Sequence, residues 1–535
     1  MATIKLFFII WTLIVYACST NHDLITGRDA IFLNAAQNGA LANQAWQRSQ
    51  RFVEGWLQHA DPETGLIPRN LARDKDIWNA RDAAADNYPF MVLTTVFTDR
   101  NMFNGIMLDM LHTEERLTSR IGHLPDTYSF SKNGFKDDKI DINRIIFGSS
   151  EYVKDGLLPL TEWLGNSPWS VRMIAIVEDI WNEAHVSTPY GNIPSESHEI
   201  NGELLQVMSR LYWMTGEIKY LQRAFRLADY YLLGDTRIHK SERIRLRDHG
   251  CEIIGGLSEI YLAAHFAAPE KKKTWQKPMQ QLFDRILELG GNEHGMLYNW
   301  IDPINGTHDD KLCDTWGYNY NAYYTLYLID GTESYRKAVV KVLSNLNEHY
   351  RNYDWEGGSA DGYADAIEGA INLYNREPIA SVTEWIDNQI RIMWSKQQPD
   401  GIIEGWHGDG NFARTTIMYA LWKTKGLSVQ PWREDVQIGG EWHDDILYIF
   451  IKSNKSWKGK IIFDSPRYLQ NLHLPLDYPR INQFPQWFTV DAAIRYQIQS
   501  ERPSTSYQLS GQDLLQGFPV NLTQARTLLI ALKVL

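Results

Sequence analysis

The chain reads as a succession of apolar helices, each followed by a short turn and a more amphipathic helix. Arg28 to about His59 forms the first long helical pattern. Ala36, Leu41, Ala45, Trp46, Phe52, Val53, Trp56 and Leu57 recur there with roughly helical period. Asp61-Pro62-Glu63-Thr64-Gly65 stops it with turn chemistry. Phe90 to Phe97 is strongly apolar and predicts a buried helix, with Asp99 to Ser119 as its amphipathic partner. The pattern is lost over about 120–167, where turn residues and hairpin-like pieces suggest an insertion, and it returns at Pro168. Leu204 to Trp213, the Thr215-Gly216 turn and Tyr220 to Leu233 then make a helical hairpin. The unit recurs at Leu326 to Gly331 with Tyr335 following, and more weakly at Leu373 to Pro378. Such internal repetition is the main organising signal.

Polar tips precede the buried helices. They are Asp86-Asn-Tyr-Pro, His198-Glu, Arg247-Asp-His249-Gly, Trp316-Gly-Tyr318-Asn-Tyr320, Ser359-Ala-Asp361-Gly-Tyr363 and Gly405-Trp-His407-Gly-Asp409-Gly. Six tips, six inner helices and six outer ones predict a mostly α fold, an (α/α)6 toroid over residues 28–431. Inner-helix N-termini would converge on one face and bring positive partial charge to a pocket. From about Trp432 the composition changes. Asp445 to Lys452, Lys460 to Phe463, Trp487 to Val490, Ala493 to Gln499 and Arg526 to Val534 read as strands. They predict a C-terminal β domain over 432–535, sandwich-like and packed on the toroid. Asp477 to Asn482 is a candidate loop from it towards the ring.

Composition and charge narrow the function. The net charge is −12 over 535 residues, and no long basic run offers a nucleic-acid footprint. The 20 Trp and 27 Tyr residues suit sugar faces as well as cores. Leu6 to Ala17 after Lys5 fits a secretory signal h-region. Cys18 after Val15-Tyr16-Ala17 resembles a bacterial lipobox, although Tyr16 is an unusual occupant. The expected order is therefore a signal peptide at 1–17, lipidation at Cys18 and a tether over 18–27. That anchors an exported protein in a membrane, as a bacterial outer-membrane lipoprotein on the periplasmic or cell-surface side. Ordinary cleavage would instead leave it soluble in the periplasm or secreted. Cys251 and Cys313 are too few for a disulfide framework, and they either pair or stay buried thiols.

The tips carry carboxylates, histidines, tyrosines, arginines and tryptophans. There is no Gly-rich phosphate loop, no HExxH and no Ser-His-Asp signature. His198 with Glu203, or His407 with Asp409, could be proposed as metal ligands, but spacing gives no support; no metal or cofactor is expected. Two reactions fit. Glycoside hydrolysis needs two carboxyl groups across the scissile bond, and Asp361, Asp365, Glu368, Asp86, Asp82 and Glu203 are candidates. Elimination beside a uronate carboxylate needs a Tyr or His base. Tyr88, His198, His249, Tyr318, Tyr320 and His407 would serve, with Arg81, Arg247 and Arg414 as carboxylate partners. Trp316 and Trp406 are candidate sugar platforms. Each residue has a plainer reading as well. Asp361 and Asp365 could favour a helix N-terminus, Asp248 could cap the helix near Gly250, and Arg81 and Arg247 could be structural ion-pair partners. Asp361, Asp365 and Glu368 share a helix face, but Glu368 lies about 10 Å deeper and is read as supporting the site.

The stretches Ser359-Ala-Asp-Gly-Tyr-Ala-Asp-Ala-Ile-Glu-Gly-Ala, Gly405-Trp-His-Gly-Asp-Gly-Asn-Phe-Ala-Arg-Thr-Thr and Asp86-Asn-Tyr-Pro resemble the six-hairpin glycosidases. With the lipobox and the β tail, the chain resembles Bacteroidetes enzymes of polysaccharide-utilisation systems, nearest to glycoside hydrolase family 154. Over residues 28–535 that resemblance implies an exo-β-glucuronidase acting on an acidic oligosaccharide. Unsaturated glucuronyl hydrolases and uronate lyases or dehydratases share the fold, so hydrolysis and elimination both stay open. A non-catalytic glycan-binding lipoprotein is a third possibility, for which tips without acids, histidines and arginines would be expected.

Overall fold

The computed structural model describes residues 27–501 and 504–535. The expected signal peptide, Cys18 and nearly all of the tether lie outside the described residues. No helix among those described is long and apolar enough to cross a membrane.

Helical hairpins form a closed ring. Inner helices such as Cys251–Ala267 and Ala360–Tyr374 are buried along most of their length. The outer helix Ile218–Leu232 buries Tyr220, Leu221, Ala224, Leu227, Ala228 and Tyr231, a single stripe at helical spacing. Inner helices His198–Thr215 and Trp316–Asp330 end at Gly216 and Gly331 in left-handed conformation, φ 72° and 68°. These are the repeated turn signals of the sequence. The small residues along Ala360–Tyr374 serve close packing: a Cβ on Gly369 would sit 2.5 Å from the Cα of Gly317 on the neighbouring inner helix.

The six expected hairpins are present, with the long first helix, Gly27–Leu57, closing the ring against the last inner helix, Asn411–Thr424, and the inserted segment adds a further helix pair to the ring. The inserted segment differs from expectation. Only Ser119–Phe135 forms small β-hairpins, whereas Ile142–Leu164 is helical throughout. It stands in the ring wall between Ala80–Thr98 and His198–Thr215, backed by Pro168–Asn182. Its apolar period is hidden because a π-helical turn at Tyr152–Leu157 shifts the register, and because Glu151, Lys154 and Asp155 face the lumen.

The C-terminal region forms two antiparallel sheets around a separate apolar core. Five strands run in the order Val436–His443, Ile446–Ser453, Thr527–Val534, Arg495–Glu501, Ser504–Ser510; three run Phe518–Leu522, Trp457–Ile462, Ser428–Gln430. The β region thus begins at Ser428, ahead of the expected 432. Trp487 to Val490 is not a strand and contributes only an isolated bridge, Asp464 to Thr489. It belongs to a long connection that leaves the sheets and enters the ring from the side where the inner helices end. There Tyr478 Oη donates to Glu259, Arg480 pairs with Glu162, Asn372 donates to the Arg480 carbonyl, and the Asn482 N–H donates to Glu368. This plug fills the lumen and becomes the floor of a pocket on the opposite face.

Candidate active site

The pocket has a volume of about 260 Å³. Most of its lining comes from the first turns of inner helices, as the convergent tips implied; the contribution of Ile142–Leu164 comes from mid-helix. Asp361, Asp365, His249, Tyr318, His407, Asp86, Arg81, Asp82, Trp406 and Arg414 all face it. Nine carboxylates line the cavity against Arg81, Lys154, Arg414 and two histidines.

One wall is built on Ala80–Asn87. Asp82 and Asp86 lie one π-helical turn apart, and both approach Nε2 of His407, at 3.9 and 3.7 Å. Nδ1 of His407 donates to the Gly408 carbonyl, which turns Nε2 towards the acids. The environments of the two acids diverge. Burial works against ionisation of Asp82, but His407, Arg81, Asn79 and Arg69 outweigh it and hold the carboxyl low. Burial pushes Asp86 up to about 7, helped by Asp155, Asp82 and Asp409 and opposed by His407. Burial of His407 is overcome by Asp86 and Asp82, so this imidazole favours its proton. The 405–410 loop is pinned by Asn70, which donates to the Gly405 and Trp406 carbonyls. Trp406 is 64% exposed at the rim, with the Arg73 guanidinium 5.3 Å from its ring.

A second wall is built on Ala360–Tyr374. Ser359 caps this helix by accepting from the Gly362 N–H, so Asp361 and Asp365 are released from capping. Burial and the charge of Asp365 push Asp361 well up; Asn411 donates to it at 2.7 Å. Asp365 takes Arg414 Nη2 at 2.8 Å and the Tyr318 hydroxyl at 2.8 Å. Beneath, Glu368 is fully buried, pairs with Arg414 Nε at 2.8 Å and is pushed by burial to about 7. Its supporting role is the one expected from helix depth. Asn482 of the plug accepts from Arg414 at 3.0 Å and donates to Asp155 at 2.8 Å, joining floor to walls.

The third wall joins Ile142–Leu164 to the start of Cys251–Ala267. Lys154 Nζ lies 2.7 Å from both Asp155 and Glu252. His249 Nδ1 pairs with Glu199, and Nε2 lies 3.1 Å from Asp248. Burial opposes protonation of His249, but Glu199 and Asp248 raise it to about 9. Asp248 is not a side-chain cap, since its carboxylate turns to Arg245 and His249.

Several expected site residues do other work. Tyr88 donates to the Met107 carbonyl and accepts from Trp169, inside the core. Tyr320 donates to the Gly295 carbonyl, and Trp316 is fully buried against Trp385, so it offers no face to a sugar. His198 packs edge-on against Tyr231, and its burial lowers its proton affinity. Arg247 pairs with Glu356 at 3.0 Å. Glu203 lies behind the lining, beside Glu151 and Asp155. Those last two, with Lys154, Glu252, Thr315, Glu356 and Asn411, are lining residues that sequence reasoning missed. Glu151 with Asp155 and Glu199 with Glu203 carried an i, i+4 acidic spacing that could have flagged them. Asn482 ends the Asp477 to Asn482 stretch that the sequence offered as a loop towards the ring, and the structure brings it to the pocket. Cys251 and Cys313 are free and buried.

The carboxyl groups bracket what the pocket can do. It holds a neutral, proton-bearing acid on one wall and an acid neutralised by arginine on another, above a floor closed to solvent. That equips it for proton donation and water activation at a ligand that enters end-on.

No family model and no curated protein matches the chain. Its structure is similar to an inactive variant of the α-1,6-mannanase GH76A of Salegentibacter sp. HEL1_6, at 11% identity and TM-score 0.41, over 70% of this chain and 98% of that one. It is similar to the family 76 glycoside hydrolase (mannosidase) Bt3792 from Bacteroides thetaiotaomicron VPI-5482, at 12% identity and TM-score 0.38, over 71% and 99%. It is also similar to a D-mannose isomerase, at 13% identity and TM-score 0.39, over 56% and 84%.

Proposed function

We propose that the chain is a carbohydrate-active hydrolase that removes a terminal sugar by acid/base glycoside hydrolysis. The observation that carries this reading is the Asp82–Asp86 pair. Two carboxyl groups beside one histidine are pushed in opposite directions, one ionised and one keeping its proton near neutral pH. Environments that separate two carboxyl groups in this way assign acid and base roles. Asp86 is the proton donor to the leaving oxygen. Asp365, two inner helices round the ring and paired with Arg414, supplies the second carboxyl function, and Trp406 offers an aromatic rim. A floor closed by the plug suits a chain end and therefore exo action.

Elimination is the weaker reading because its bases are disarmed. His249 is raised to about 9, and burial pushes Tyr318 well above the ordinary phenol range. A base must be free of its proton at the working pH.

The terminal sugar in this proposal is a uronic acid, read by Arg81, a lining cation whose guanidinium makes one ion-pair contact, 3.4 Å to Asp82. Arg414 and Lys154 are spent on internal pairs. The surplus of lining carboxylates works against an anionic ligand, so the test pairs each uronide with its neutral counterpart. An exported, lipid-anchored location rests on Leu6 to Ala17 and Cys18.

The experiment incubates the protein with glucuronate-capped oligosaccharides and their glucose-capped counterparts. Free sugar and ultraviolet absorbance from a new C4–C5 double bond are followed together. Release of intact sugar without absorbance is expected. Absorbance without release would overturn hydrolysis, and release from neutral caps alone would overturn the uronide.

A further inference from the structure

The hydrolytic reading uses the first two walls and leaves the third unexplained. Two adjacent inner helices each contribute an i, i+4 pair of carboxylates to one cluster, Glu151 with Asp155 at the pocket wall and Glu199 with Glu203 beside them. Oxygens of Glu151, Asp155 and Glu203 lie within 4.8 Å of one another. Glu203 is 1% exposed, and neither of its oxygens has a hydrogen-bond partner. Glu151 is 5% exposed, and its Oε1 also has no hydrogen-bond partner. An ionised carboxylate buried without a partner is expensive, so this arrangement asks for a counter-charge.

Nearby cations do not supply it. Lys154 is shared between Asp155 and Glu252, both at 2.7 Å. His249 is engaged by Glu199 and Asp248, and its Nδ1 comes only within 3.5 Å of Glu151. Four carboxylates (Glu151, Asp155, Glu203 and Glu252) therefore face a single lysine.

We propose that Glu151, Asp155 and Glu203 form a binding site for a hard divalent cation such as Ca²⁺ or Mn²⁺. The donors are all carboxylate oxygens, the class preferred by Ca²⁺, Mg²⁺ and Mn²⁺ over zinc or copper. They come from two helices that pack directly on each other, so the cation would tie the inserted hairpin to the next one round the ring. Glu151 and Asp155 line the pocket, and the remaining coordination would come from water on that side. Without a cation the charge would have to be relieved by protons held on Glu151 and Glu203, and the two states are separable by experiment.

Chelator-treated protein is titrated separately with Ca²⁺, Mn²⁺ and Mg²⁺ by isothermal calorimetry near neutral pH, and thermal unfolding is followed with and without each. One site per chain and a metal-dependent rise in Tm are expected. Glu203→Gln is isosteric and removes no hydrogen bond, so the variant should fold. It and Glu151→Gln should each weaken binding about tenfold or more. Asp82→Asn, in the separate group with Asp86 and His407, should leave binding unchanged. A wild-type protein that binds none of the three cations overturns the proposal, as does wild-type affinity in both glutamine variants. Affinity lost in Asp82→Asn but kept in Glu203→Gln would move the site to the other wall and overturn it too.

Discussion

Replacing Asp86 with asparagine should cost activity and return stability, in a manner that depends on pH. The carboxyl is lifted from 3.8 to about 7 by burial and by Asp155, Asp82 and Asp409. A lift of that size corresponds to about 4 kcal/mol of preference for the neutral form. The sign follows from proton counting. Below pH 3.8 Asp86 is protonated in both folded and unfolded chains and contributes nothing. Between 3.8 and about 7 the unfolded chain loses a proton that the folded one keeps, so stability falls as pH rises. Above about 7 the full penalty is present. Asparagine carries no such ionisation. It also removes an anion facing His407, which subtracts from the gain, so the net difference at alkaline pH should be about 1–3 kcal/mol, or roughly 1–3 °C in Tm for a chain of this size. Thermal unfolding of both proteins from about pH 5 to about pH 9 measures this. Hydrolysis by the variant should fall by about 10²–10⁴, and kcat/KM of the wild type should decline as pH rises through about 7. A variant that keeps full turnover, or a Tm difference that is flat across the pH range, would refute the assignment of Asp86 as a strained proton donor.

Three further outcomes test the frame around it. Trp406→Ala removes an exposed ring held only at the rim; KM should rise about tenfold with Tm unchanged, and unchanged kinetics would remove Trp406 from the site. Arg414→Ala strands Asp365 and Glu368 without their shared cation. A loss of about 3–5 kcal/mol is expected in chemical denaturation, and lysine should not rescue it because the bond to Asn482 needs the guanidinium fork. Gly369→Ala drives a methyl into Gly317. It should destabilise the ring by about 1–3 kcal/mol, while alanine at Gly357, which has nothing within 4 Å but a φ of 66°, should cost only about 1 kcal/mol through its backbone.

Much of this architecture is written locally. A helix declares itself through apolar period and stop signals, so Gly27–Leu57, the Gly216 and Gly331 turns and the hairpins between them were legible. Lumen-facing charge works against that signal. Glu151, Lys154 and Asp155 interrupt the apolar period of Ile142–Leu164, and a π-turn shifts its register, so the helix that carries a whole wall of the pocket reads as irregular chain. Aromatic tips misled for the opposite reason. Trp316 and Tyr320 sit at a tip beside the pocket, yet at 3.6 residues per turn their side chains point away from the lumen into the outer layer.

The sequence by itself determined the toroid of hairpins, the β region behind it and the face on which inner-helix N-termini gather. Periodicity, turn glycines and strand alternation are properties of neighbouring residues. It also brought Asp361, Asp365, His407 and Asp86 forward as acids and bases, through their places at the tips. Tertiary structure alone decided which of them are charged. Asp82 and Asp86 are alike in sequence, four residues apart on one helix, and differ because Arg81, Asn79 and Arg69 reach the first while the second is buried against Asp155 and Asp409. It also decided where the pocket ends. The plug puts Asn482 between Arg414, 68 residues back along the chain, and Asp155, 327 residues back, contacts between segments with no shared periodicity for a sequence pattern to carry.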